Sequence, residues 1–171
     1  MRFVSVVVFA AALGCTSSSS KGGSDGAGGG GSGSCSVTLS GAESATAQCT
    51  AAFEQLDGSA DSEWGGVVTM EPSGFSEITA SFQVTGAPTA KTYTAADFTT
   101  GGATVVTTAH KTYVASDVAP TAGTVGSLIV TGLDVAQMTG SATDYFVHGS
   151  FSATLAQQGS GSGSVTMAMT F

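Results

Sequence analysis

The carboxylates Glu54, Asp57, Asp61 and Glu63 form the densest cluster of groups able to do chemistry in this chain. Asp57-Gly58-Ser59-Ala60-Asp61-Ser62-Glu63 places oxygen donors at alternate positions, Asp57, Ser59, Asp61 and Glu63, and Ca²⁺ favours such hard ligands. The stretch departs from the EF-hand loop: Ser62 stands where Gly is needed, Val68 where the bidentate Glu belongs, and no flanking helix is visible. A solvated loop between two hairpins explains the same residues with fewer assumptions, so no metal and no other cofactor is expected. Any two of Glu54, Asp57, Asp61, Glu63 and Glu77 would serve glycoside hydrolysis only if a cleft held them at a set separation. The imidazoles are His110 and His148. A zinc site would need carboxylates or cysteines beside them, and no motif places a nucleophile or oxyanion hole next to either. Gly22-Gly23-Ser24-Asp25-Gly26 spells the G-x-S-x-G elbow of hydrolases, but that motif works only on a strained strand-to-helix turn. Trp64, the single tryptophan, follows the acidic cluster and is the candidate for stacking on a sugar ring. Its parity with Val68 and Met70 points instead to a core position.

The elements that must position these groups are strands. Cys35, Val37 and Leu39 alternate with polar residues, as do Ala45, Ala47, Cys49, Ala51 and Phe53. With Gly41-Ala42-Glu43 as the hairpin loop, Leu39 faces Ala45, Val37 faces Ala47, and Cys35 lands opposite Cys49. Trp64, Gly66, Val68 and Met70 share one face of a further strand. Glu71-Pro72-Ser73-Gly74 then has Pro and Gly where a type I turn wants them, and Ile78, Ala80, Phe82 and Val84 return on one face. Thr94-Ala95-Ala96-Asp97 resembles a capping box opening a single helical turn, with Tyr93 and Phe98 as packing anchors. Residues 103–114 are β-branched but alternate poorly, as an edge strand would. Gly132 separates Leu128 and Val130 from Leu133 and Val135, which lie on the other parity, so a bulge there would absorb the slip. Tyr145, Val147, Gly149, Phe151, Ala153 and Leu155 share a face, and Val165, Met167, Met169 and Phe171 answer it. The pattern predicts an all-β domain over 35–171: an antiparallel β-sandwich of about eight strands, with a small β-barrel as the alternative.

The chain has 171 residues, only 9% of them charged, with Lys plus Arg numbering 4 against 12 Asp plus Glu. Nucleic acid would be repelled, so it is not an expected partner. Moderate hydrophobicity supplies a core for residues 35–171, a stretch of ordinary domain size. Residues 16–34 are almost wholly Ser and Gly and predict a flexible coil spanning about 25 Å on average. The elbow match above falls inside that tract and carries no weight.

At the start of the chain, Arg2 gives a short positive head, Phe3 to Leu13 an apolar run of secretory-signal length, and Ala12-Leu13-Gly14-Cys15 a small-residue close around a cysteine. These residues resemble a bacterial lipoprotein signal with its lipobox, although Ala12 stands where Leu is usual. The resemblance implies cleavage before Cys15, acylation of Cys15, and a partition into signal peptide 1–14, lipidated tether 15–34 and domain 35–171. A spanning helix needs about 20 apolar residues, more than this run provides. With Cys15 assigned to lipid, Cys35 and Cys49 are left as an even pair in an oxidising compartment, which favours a disulfide. With Thr16 where Asp would signal inner-membrane retention in that family, the resemblance further implies an outer-membrane location facing the periplasm or the cell surface.

Residues 35–171 also resemble, in composition and strand pattern, the small β-rich lipoproteins of myxobacteria, through Val147-His148-Gly149-Ser150-Phe151 and the closing Val165 to Phe171 strand. That resemblance implies no catalytic residue. The expectation is therefore a non-enzymatic binding or envelope-structural module, anchored to a membrane by lipid and open to a protein or carbohydrate ligand. The alternatives are an extracytoplasmic hydrolase using paired carboxylates, and a small outer-membrane barrel suggested by the C-terminal Phe171 strand.

Overall fold

The computed structural model describes residues 35–56, 60–116, 123–139 and 142–171. The expected signal segment, the expected lipidation site Cys15, the Ser/Gly tract, Asp57 and Ser59 lie outside the described residues. The chain forms β1 (Cys35–Gly41), β2 (Ala45–Leu56), β3 (Asp61–Val68), β4 (Phe75–Thr85), β5 (Thr92–Thr94), a 3₁₀ turn (Ala95–Asp97), β6 (Phe98–Thr107), β7 (Thr112–Ala115), β8 (Thr124–Thr139), β9 (Ala142–Gln157) and β10 (Ser164–Thr170). The fold is all-β. One antiparallel sheet runs in the order β10-β1-β2-β3-β4-β6-β7-β9-β8-β5, and β9 pairs additionally with β10 and β2. The sheet thus returns on itself in a ring, and its inward faces enclose a shared core in a manner consistent with a sandwich.

Period-two alternation decides which side chains enter that core. In β10 the burial alternates without a break, Val165, Met167 and Met169 inside against Thr166, Ala168 and Thr170 outside. Its partner β9 matches it, with Val165 opposite Leu155, Met167 opposite Ala153 and Met169 opposite Phe151. At the centre Trp64 lies against Phe151, Phe171 and Phe82, with ring centroids at 5.0, 5.8 and 6.0 Å. These tilted and offset contacts are the favourable geometries for aromatic pairs.

The β1–β2 hairpin takes the expected register: Leu39 faces Ala45, Val37 faces Ala47, and Cys35 faces Cys49. That register brings the two Cα atoms to 4.7 Å, and the cysteines form a disulfide. The 3₁₀ turn likewise forms where the capping box lies, the Asp97 carboxylate accepting from both the Thr94 amide (2.8 Å) and its hydroxyl (3.0 Å). Gly132 marks a shift in the β8–β9 register, between Val130 and Gly132, so the bulge falls at the glycine.

Three local expectations are corrected. β3 ends at Val68, and Met70 is 78% exposed, because the chain leaves the sheet toward the Pro72 turn before the alternation can carry Met70 inward. In that turn the Phe75 amide donates to the Pro72 carbonyl (3.1 Å) with Gly74 at φ +94°, so it is displaced by one residue and has the positive φ of a type II turn at its third position. Residues 103–114 are two strands. His110 occupies a left-handed conformation (φ 61°) in the β6–β7 turn, its amide donating to the Thr107 carbonyl. Gly or Asn usually fills such a position. A histidine there hides the turn, and this split, with the short β5, raises about eight strands to ten among the described residues.

Candidate functional site

Alternation on β2 and β3 sends Glu54 and Glu63 outward, since their neighbours Phe53 and Trp64 are fully buried. Register then aligns them: Glu54 is opposite Glu63 across the β2–β3 ladder and opposite Asp144 across the β2–β9 ladder. Gln83 of β4 continues the row beyond Glu63. The Ser81 hydroxyl donates to the Glu63 Oε1 at 2.7 Å. Burial raises the Glu54 carboxyl above its ordinary range, and the charges of Asp144 and Glu63 push it further the same way. The outcome is a transverse row of three carboxylates on neighbouring strands.

This placement corrects the reading of the acidic cluster as a loop. Asp61 and Glu63 stand in β3 and Glu54 in β2, with backbone carbonyls committed to strand ladders, so these residues do not wrap around an ion as a calcium loop does. Among the described residues no three His, Cys, Asp or Glu side chains come together in a metal-holding group. Glu77 lies six residues from Gln83 along β4, about 20 Å away at strand spacing, and accepts from the Thr79 hydroxyl (3.2 Å). It does not converge with the row.

Trp64 is corrected as a ligand residue. It has no exposed surface, and its ring is enclosed by Phe82, Phe151 and Phe171, so no sugar reaches it. Among the described residues its indole Nε1–H finds no hydrogen-bond acceptor. The histidines are separate from each other and from the carboxylate row's centre. His110 sits in the β6–β7 turn; His148, on the outer face of β9, bonds through Nε2 to the Asp134 Oδ2 at 2.9 Å. A depression of about 440 Å³ elsewhere on the surface is lined by Ala47, Gln48, Met70, Glu71 and Pro72 among others, and holds none of the candidate residues.

Two polar clusters escaped the sequence reading. Glu43, in the β1–β2 loop, accepts from Lys111 Nζ (2.8 Å) and from the Tyr113 hydroxyl (3.1 Å), tying that loop to the β6–β7 hairpin. The Lys111 hydrogen bond holds the Glu43 carboxyl below its ordinary range, and burial pushes the Tyr113 phenol up. Lys91 donates to Asp97 at 2.8 Å while lying 4.4 Å over the Tyr93 ring, and with the Thr94 bonds it lowers the Asp97 carboxyl to about 2. Both are long-range or turn-borne pairings, and only the capping box of the second left a mark in the sequence. Asp144 was not among the candidates, and nothing local in the sequence specifies the strand it faces.

Comparison with models of protein families, with curated proteins and with solved structures found no match to this chain.

Proposed function

We propose that this chain is an extracytoplasmic lipoprotein, a non-enzymatic β-domain held to the outer membrane by acylated Cys15 and serving as a binding or envelope-structural module. The observation that carries the reading is the Cys35–Cys49 disulfide, because such bonds persist in exported proteins and not in the reducing cytosol. Its position suits a tethered domain. Cys35 is the first residue of β1, where the Ser/Gly tract joins the sheet, and β1 is paired on both sides by β2 and β10. Tension along the tether would therefore pass through a covalent crosslink into the middle of the sheet.

The outward faces support a domain in water. Thr166, Ala168 and Thr170 of β10, Thr38 and Ser40 of β1, and Thr46, Gln48 and Thr50 of β2 are exposed, while the large apolar side chains Val37, Leu39, Phe53, Val165, Met167 and Met169 of the same strands are buried. A lipid-facing barrel needs the reverse, an apolar band outside. The carboxylates likewise run across one outer sheet face, on β3, β2 and β9, whereas hydrolysis needs them on either side of a cleft.

Expression with labelled palmitate, followed by membrane fractionation, tests the anchor. Label is expected in the membrane-bound wild type and absent from Cys15→Ser. An unlabelled wild type recovered from the cytosol with Cys35 and Cys49 reduced would overturn the reading.

A further inference from the structure

We propose that the distal part of the β8–β9 hairpin, residues 132–139 and 142–146, is a pH-responsive arm, held against β2 when Glu54 is neutral and loosened when it ionises. The proposal concerns the domain itself and stands whether or not the chain is lipidated.

The architecture isolates this arm. β9 changes partner along its length: residues 150–156 pair with β10, whereas Ala142 to Phe146 pair with Leu56 to Ala52 of β2. On the other side, β5 covers β8 only over Ser127–Ile129, so among the described residues the β2 ladder is what joins the arm's strands to the rest of the sheet. The root is fixed by Gly149, whose amide donates to the Phe171 carbonyl (2.6 Å) and whose carbonyl accepts from the Phe171 amide (3.0 Å). Beyond that root β8 carries register shifts at Val130/Gly132 and Val135/Gln137, and bulged strands bend there. The inner face of the arm is only partly secured. Leu133 and Tyr145 pack against the core, Tyr145 opposite Phe53, but Val135 and Met138 are 59% and 76% exposed.

The electrostatics oppose closure. Closing the β2–β9 ladder sets Glu54 directly opposite Asp144 while Glu63 flanks it from β3, and like charges at opposed positions destabilise a strand pair. The other charged groups on this face are Asp61, two residues before Glu63 on β3, and the Asp134–His148 pair on β8 and β9; Gln83 lies beyond Glu63 on β4. The lysines among the described residues are engaged elsewhere, Lys91 by Asp97 and Lys111 by Glu43. Burial, then Asp144 and Glu63, raise the Glu54 carboxyl. Glu63 stays beside Glu54 on β3 when the arm opens, but Asp144 leaves with β9, so Glu54 holds its proton better in the closed arm than in the open one. Closure is therefore strongest at and below the ordinary carboxylate range near about 4.3, and weakens as pH rises through the raised value.

Hydrogen exchange of the full chain between about pH 4.5 and pH 7.5, corrected for intrinsic exchange rates, tests the arm. Protection of residues 132–139, 142–146 and 52–56 is expected to fall roughly two- to fivefold as pH rises, the size set by opposed like charges, while β1 and β10 stay level. Glu54→Gln is expected to keep the arm protected throughout, and Asp144→Asn to weaken the response; should Glu54→Gln fail to fold, Asp144→Asn decides. His148→Gln is expected to retain the wild-type response. A response shared by β1 and β10, one unchanged in both carboxylate variants, or one lost only in His148→Gln would overturn the proposal.

Discussion

Trp64 shows what single residues in this chain do and how far their role was readable. Alternation put it on the face of Val68, and it is fully buried there. What alternation could not reveal is that its indole N–H, packed among aromatic rings, has no acceptor among the described residues. A buried donor without an acceptor costs about 1–3 kcal/mol, which offsets part of what the large ring contributes. Trp64→Ala is therefore expected to destabilise by about 3–5 kcal/mol, and Trp64→Phe by distinctly less, because it removes the orphan with the lost volume. Urea unfolding of the two variants measures the difference. Met70 marks the limit of the same reasoning: its parity was right, but the strand had already ended.

Among the elements, β9 holds the structure together, pairing with β10, β2, β7 and β8 along its length. Gly149 is the residue that lets it change partners. Its φ of +153° disfavours any side chain, and a Cβ there would be driven into the Ile129 carbonyl. Gly149→Ala is accordingly expected to destabilise by about 1–3 kcal/mol, read as a lowered denaturant midpoint, with the β8–β9 amides losing protection first. Hairpins between consecutive strands were legible: in β1–β2 a short loop and two alternating patterns fix one register, and in β9–β10 the alternation shows which faces match. The β2–β9 ladder was not, since nothing local in Ala52–Leu56 or Ala142–Phe146 specifies a partner so distant in sequence. The carboxylate row was hidden for the same reason.

At the scale of the molecule, one curled antiparallel sheet encloses an apolar interior, its outer face hydroxyl-rich on β1, β2 and β10, and Cys35 at the start of β1 is crosslinked to β2. The all-β class followed from period-two patterning alone. The curl did not, because it depends on the way β9 bridges β10 and β2. We propose above that this domain is built outside the cytoplasm and moored by Cys15. Intact mass spectrometry of the protein extracted from cell membranes tests it most directly. A chain beginning at Cys15 with an acyl adduct is expected, its mass rising by one hydrogen per domain cysteine on reduction. A chain beginning at Met1, with all 3 cysteines open to alkylation before any reductant is added, would contradict it.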